Sequence, residues 1–153
     1  MSSKPFLRNL CIGLVDGLTI PLALAAGLSQ KVTTVNPVII ACLAAAFAGA
    51  ITMSIGGYFE GKKYAPGENP AIAAATIGAG YLSGGLFVTA PFFFGLPVNE
   101  AFEHTAVHTL IILLVAGYFE SKLNGGTGWA NAIRVCIVAA LVAAAAYCIA
   151  KSF

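Results

Sequence analysis

Long apolar stretches separated by short polar breaks organise this chain. Positions 32–59 and 69–99 carry no charged residue, positions 135–150 carry none, and positions 9–30 hold one, Asp16. A helix crossing a hydrocarbon core of roughly 30 Å needs about 20 residues. The pattern therefore predicts five spans, at about 6–28, 37–59, 70–94, 101–119 and 128–149. The breaks have turn chemistry: Ser29-Gln30-Lys31, then Lys62 to Asn69, Gly95 to Asn99, and Asn124 to Gly128. Pro37 and Pro70 fall at helix starts, where a missing N–H costs nothing. The alternating short strands of a membrane barrel do not appear in the pattern. The expected fold class is all-α: a polytopic membrane protein whose 153 residues form one domain of five transmembrane helices.

Composition sharpens this reading. The chain is 59% hydrophobic and 9% charged, with a mean hydropathy of +0.89. A soluble domain carries about 25% charged residues, so lipid must be the main solvent here. An ordinary soluble enzyme, a disordered chain and a secreted disulfide scaffold are all excluded. The net charge of +2 is too small to suggest a nucleic-acid partner. Cys11, Cys42, Cys136 and Cys148 all fall inside predicted spans and form no CxxC pair, so they read as small packing residues.

The basic residues set the expected orientation. Lys4, Arg8, Lys62, Lys63, Lys122 and Arg134 collect on one side, against Lys31 and Lys151 on the other. Six against two places the amino terminus in the cytoplasm and the carboxyl terminus outside it. Trp129 then sits at the cytoplasmic interface. Lys4 and Arg8 ahead of an apolar run, with Ala23-Leu24-Ala25 behind it, imitate a cleavable signal. Asp16 in the middle of that run argues instead for a retained span.

The second and fourth spans end alike, in Gly57-Tyr58-Phe59-Glu60-Gly61-Lys62 and Gly117-Tyr118-Phe119-Glu120-Ser121-Lys122. Coincidence at a membrane interface is one reading, and a duplicated helical hairpin of the kind found in transporters is the other. Both place Glu60 and Glu120 at equal depth at the cytoplasmic mouth.

Asp16 is the residue that belongs least in lipid. A carboxylate near the bilayer centre costs several kcal/mol and marks either a functional site or a hydrogen bond across a helix interface. Gly13 and Gly17 flank it at GxxxG spacing, which lets two helices approach closely. A first span that self-associates there would bring two copies of Asp16 together. Facing carboxylates in low dielectric cannot both ionise cheaply, and a divalent cation or a shared proton resolves the conflict.

Depth brings in Met53. Asp16 lies about 15 Å from the cytoplasmic end of its span and Met53 roughly 9 Å, at 1.5 Å per residue. A thioether by itself is commonly packing, but beside a carboxylate it is a soft ligand suited to a transition metal. Glu60, seven residues on, shares the Met53 face, so Asp16, Met53 and Glu60 read as a ladder of metal ligands. Glu100, Glu103, His104 and His108 form a second cluster, spread over an arc of about 140° on one helix. Carboxylate plus imidazole suits Fe²⁺, Mn²⁺ or Zn²⁺, and the cluster falls at the non-cytoplasmic end. The plainer reading is a polar helix start, with acids beside the positive end of the dipole. Near-neutral imidazoles would also carry protons. No phosphate loop or nucleophile–base arrangement is present, so enzymatic chemistry has no foothold.

Asp16-Gly17-Leu18-Thr19-Ile20-Pro21-Leu22-Ala23-Leu24-Ala25-Ala26-Gly27-Leu28-Ser29 resembles the first-span signature of the vacuolar iron transporter family. Ala48-Gly49-Ala50-Ile51-Thr52-Met53-Ser54-Ile55-Gly56-Gly57-Tyr58 is similar to its second-span motif. Asn69-Pro70 with the Gly-rich span behind it, and Gly128-Trp129 followed by Arg134, are similar to its later spans. The resemblance covers nearly the whole chain. It implies a five-span, typically dimeric protein that moves Fe²⁺ or Mn²⁺ out of the cytoplasm, with proton antiport in the best-known members. It also implies that Asp16 and Met53 line the path at a dimer interface. No fixed cofactor is implied, because the metal is cargo.

Two departures stand out. The family's second-span Glu, eight residues before the Met, falls on Ala45. Many members also carry a Glu-rich cytoplasmic metal-binding domain between spans two and three, where only Gly61 to Asn69 lies here. The leading expectation is a homodimeric exporter joined through its first span, in the inner membrane of a bacterium or an organellar membrane of a eukaryote. Asp16 and Met53 would be its central ligands, Glu60, Glu120 and Glu68 a reduced mouth, and Glu100, Glu103, His104 and His108 an exit or proton-linked site. The alternative is a non-transporting accessory subunit that keeps the fold inside a larger membrane complex.

Overall fold

A computed structural model describes residues 3–64 and 69–153. Glu68, expected near the mouth, and the side chain of Lys63 lie outside the described residues. Five helices follow one another: α1 (Ser3–Leu28), α2 (Asn36–Tyr64), α3 (Pro70–Thr89), α4 (Val98–Leu123) and α5 (Trp129–Ser152), with a 3₁₀ turn (Ala90–Phe93) after α3. All five are long and apolar enough to span a membrane. Their boundaries show where apolar composition misses helix chemistry. The second helix runs past Phe59 to Tyr64, because Glu60, Gly61 and Lys62 continue a helix beyond the hydrocarbon as readily as they end a span. The third stops being α-helical at Thr89, since Pro91 has no N–H to offer the ladder, and Phe94 N–H closes onto the Pro91 carbonyl at 3.3 Å. Asn69 caps α3 by accepting the Ala71 N–H at 3.0 Å.

The first helix is the centre of the bundle. It packs against each of the other four, while among the described residues α2 and α3 touch neither α5 nor, for α2, α4. Hairpins α2–α3 and α4–α5 thus flank α1 from two sides. The two repeat segments do the same work in both. Gly57 faces Ile77 and Ala74 of α3, and Gly117 faces Ala132 of α5, where an added Cβ would stand 3.0 Å from that Cα. The Tyr58–Phe59 and Tyr118–Phe119 rings adopt the same edge-on geometry, both at 5.9 Å. The two segments are thus alike in local geometry as well as in sequence.

Helices α1 and α3 are in backbone contact. A Cβ on Gly13 would overlap the Ile77 carbonyl oxygen, and one on Gly17 the Tyr81 carbonyl. In return, a Cβ on Gly80 would overlap the Leu10 carbonyl oxygen, and one on Gly84 would stand 2.7 Å from the Leu14 carbonyl oxygen. This corrects the use expected for the glycine pair. Gly13 and Gly17 do bring two helices together, but the second helix is α3 of the same chain. Any further copy must meet α1 on another face.

The best-packed side chains gather in the half of the bundle away from Lys4, Arg8, Lys62 and Lys122. Leu18, Leu22 and Ala25 of α1 meet Val38, Cys42, Val88, Phe92 and Ala101 there. Thr105, wholly buried, donates its hydroxyl to the Val88 carbonyl at 3.2 Å and fixes the rotation of α4 on α3. Thr105→Val is expected to lower stability by about 0.6–1 kcal/mol, the usual worth of an interhelical bond in lipid. An unfolding titration in detergent with an unmoved midpoint would contradict that role. At the opposite, basic end α1 and α2 part, and a cavity opens between them.

Candidate functional site

That cavity, of about 350 Å³, is lined by Arg8, Asn9 and Ile12 of α1, by Met53, Gly56, Gly57 and Glu60 of α2, and by Ile77 of α3. Helical spacing explains the lining. Met53 and Glu60 are seven residues apart and so share a face. Gly56, between them, has nothing within 4 Å of where its Cβ would be. Met53 is half-buried in the wall and Glu60 is exposed at the rim. Asp16 stands one turn beyond Ile12 on the same side of α1, exposed on the outer surface of this single chain. It is thirteen residues into a helix of 26, close to its midpoint. Of the ladder expected of Asp16, Met53 and Glu60, the cavity brings together Met53 and Glu60, and Asp16 is not among the residues that line it.

Arg8 and Asn9 are additions to it. Asn9 is 6% exposed, and its side-chain oxygen accepts from Arg8 Nη2 at 3.5 Å. The signal for Asn9 was available: it precedes Asp16 by seven residues, two turns down the same face. Ala45 is half-buried on α2, and its methyl group supplies no ligand.

Glu120 does not join Glu60. It lines a separate polar cavity of about 300 Å³ with Ser121, Asn124, Thr127, Asn131 and Arg134. Asn131 Nδ2 donates to Glu120 Oε2 at 3.3 Å and to the Gly117 carbonyl at 3.2 Å, so the carboxylate is held against α5. Equal depth along two helices did not place these residues side by side, because α1 stands between the hairpins that carry them.

Glu100, Glu103, His104 and His108 are all exposed on α4. The two imidazoles stack, with centroids 6.2 Å apart and planes at 22°. They border an apolar groove of about 580 Å³ walled by Phe87, Pro91, Phe94 and Leu96, among others. Glu100 and Glu103 stand outside it, nearer the helix start. Among the described residues, no three His, Cys, Asp or Glu side chains gather closely enough to hold a metal ion within one chain.

Comparison with known proteins follows the same lines. The sequence model of the VIT family matches residues 7–65 and 60–151. The chain is 27% identical to vacuolar iron transporter 1 of Tulipa gesneriana, over 95% of this chain and 86% of the relative. It is 27% identical to vacuolar iron transporter 2 of Oryza sativa subsp. japonica, with the same two coverages of 95% and 86%. Protein CCC1 of Saccharomyces cerevisiae is 27% identical over 84% of this chain and 61% of its own length. The two family-matched segments overlap over residues 60–65, around the end of α2. The tulip alignment runs over 212 positions although this chain has only 153 residues, so several tens of positions belong to the relative alone.

Proposed function

The chain belongs to the VIT family, and from that premise we propose that it is a divalent-metal transporter that carries Fe²⁺ or Mn²⁺ out of the cytoplasm as a homodimer. The basic end is read as cytoplasmic, and the cavity between α1 and α2 as the mouth. The membrane is of the organellar kind that the relatives' names specify. Metal enters past Glu60, takes Met53 as a soft ligand and reaches Asp16, with protons as the counter-flow.

One observation carries the reading. Asp16 is exposed on the outer face of a single chain, near the midpoint of a membrane helix and one turn above a cavity holding Met53 and Glu60. Leaving a carboxylate there against lipid costs about 3 kcal/mol on insertion scales. A second copy laid on this face removes that cost and supplies a second Asp16 and Met53. It also completes a ligand set that one chain does not assemble by itself. Ca²⁺ and Mg²⁺ are disfavoured by the thioether, and an intermediate ion such as Fe²⁺ fits carboxylate plus sulfur.

The same incompleteness favours one competing reading, an accessory subunit that keeps the fold without transport. Flux in proteoliposomes separates the two. The proposed reading expects Fe²⁺ and Mn²⁺ uptake into vesicles containing a trapped metal indicator. Met53→Leu, close in volume and without sulfur, is expected to cut Fe²⁺ flux about tenfold, or roughly 1.4 kcal/mol, and Mn²⁺ flux less, since Mn²⁺ is the harder ion. Purified protein that neither binds nor moves Fe²⁺, Mn²⁺, Co²⁺ or Zn²⁺, and that is recovered in a larger complex, would decide for the accessory role.

A further inference from the structure

Arg134 takes no part in the path just described, yet it is a charge carried on a membrane helix. It stands five residues past Trp129, the first residue of α5, or about 8 Å along the helix axis. A guanidinium at that depth calls for a counter-charge. Among the described residues Arg134 has no hydrogen bond or ion pair. Glu120 of α4 lines the same polar cavity of about 300 Å³ without pairing with it. Asn131 instead donates to Glu120 Oε2, and Oε1 has no partner among the described residues. Two opposite charges thus line one cavity and are not joined. Asn124 and Thr127 add neutral side-chain donors to its wall.

The geometry points to a site for the headgroup of an aminophospholipid, its phosphate on Arg134 and its primary ammonium on Glu120 Oε1. A guanidinium presents paired N–H donors that match two phosphate oxygens. The two charged walls sum to zero, as do the two charges of a phosphoethanolamine headgroup. An anionic glycerol headgroup would leave Glu120 unmatched. A choline headgroup has no N–H to donate, and its quaternary ammonium is held best by aromatic rings. No aromatic side chain is among the described residues that line the cavity. The depth is that of headgroups. Trp129, exposed and next to the cavity-lining Ala130, stands 4.9 Å from the Tyr118 ring, an aromatic pair of the kind found at membrane interfaces. A path for the acyl chains continues from the same point. Ile137, Val138 and Leu141 follow Arg134 by three, four and seven residues, so they share its face of α5, and all three are exposed. The site rests on α4 and α5 alone and stands whether or not Asp16 carries metal.

Trp129 is the single tryptophan of the chain, so its fluorescence reports on this corner of the bundle. The test reconstitutes the full chain into phosphatidylcholine vesicles. Bromine-labelled phosphatidylethanolamine, phosphatidylcholine or phosphatidylglycerol with the same chains is then added as a quencher. The expected result is that the ethanolamine lipid competes for the site about tenfold better than either of the others, the worth of one charge-assisted hydrogen bond. Glu120→Gln keeps an oxygen that accepts from Asn131, and should erase the preference for ethanolamine over choline. Arg134→Gln should bring all three lipids to the same weak quenching, and Arg134→Lys should retain part of the preference. Arg134 is exposed, so its variants should elute as the wild type does. Equal competition by the three lipids, or an ethanolamine preference that survives both Glu120→Gln and Arg134→Gln, would overturn the site. Release of the labelled lipid by soluble phosphoethanolamine at equal concentration would overturn the lipid as occupant and give the cavity to a free solute.

Discussion

Replacing Asp16 by Asn is expected to reduce Fe²⁺ and Mn²⁺ flux by about a hundredfold while leaving the fold and its assembly intact. The substitution is close to isosteric, keeps a hydrogen-bonding group and removes only charge. Near a protein surface one opposite pair of unit charges 4 Å apart is worth about 4 kcal/mol. A divalent cargo doubles that to about 8 kcal/mol, and losing half of it already exceeds the roughly 2.7 kcal/mol that a hundredfold represents. The position makes the charge count: it is near the midpoint of α1, on a face no other helix of the chain covers. The mutant should therefore insert as well as the wild type or better, since it no longer places a carboxylate in the membrane. Asp16→Glu restores charge with one added methylene and should recover part of the flux. The measurement is initial uptake into proteoliposomes at matched protein content. Wild-type rates from Asp16→Asn would remove Asp16 from the path and the proposed mechanism with it.

The fold was largely legible because lipid leaves few options. Backbone groups must be satisfied within each span, so a charge-free stretch of sufficient length becomes a helix. Helix ends were less legible. Glu60 to Lys62 are polar yet helical, and Pro91 ends an α-helix in the middle of an apolar run. The candidate site was legible in one dimension only. Heptad spacing joined Met53 to Glu60, and depth joined both to Asp16, but depth also suggested Glu60 beside Glu120. Which helices are neighbours is decided by packing across the bundle, and α1 stands between the hairpins that carry those two carboxylates. Arg8 served in the sequence only as a topology marker, although it shares the cavity of Met53. The glycine pair shows the same limit: GxxxG states that a helix will come close, and says nothing about which helix.

That close approach carries the other large effect. Gly17→Leu is expected to destabilise the bundle by about 3 kcal/mol or more, the upper end of overpacking costs and beyond, because no side chain can move aside. The first carbon of the new side chain would meet the carbonyl oxygen, carbonyl carbon and Cα of Tyr81, all backbone atoms of α3. Relief requires α1 and α3 to separate along the whole stripe. The facing contacts at Gly13, Gly80 and Gly84 would then be lost together. In lipid no hydrophobic drive compensates, since hydrocarbon tails solvate the separated faces as well as each other, and close van der Waals packing is what holds such helices. Gly27→Ala is the control on the same helix. Its added carbon would sit 3.4 Å from the Ala146 carbonyl oxygen, an ordinary contact, and alanine favours helix by up to about 1 kcal/mol. Thermal unfolding followed by chromatography in detergent should show Gly17→Leu melting well below the wild type or failing to yield a single species, and Gly27→Ala matching or exceeding it. If Gly17→Leu melts with the wild type, α1 and α3 are not in backbone contact. The glycine pair would then be free for a second copy, and the proposed dimer would be placed on the Gly13–Gly17 face.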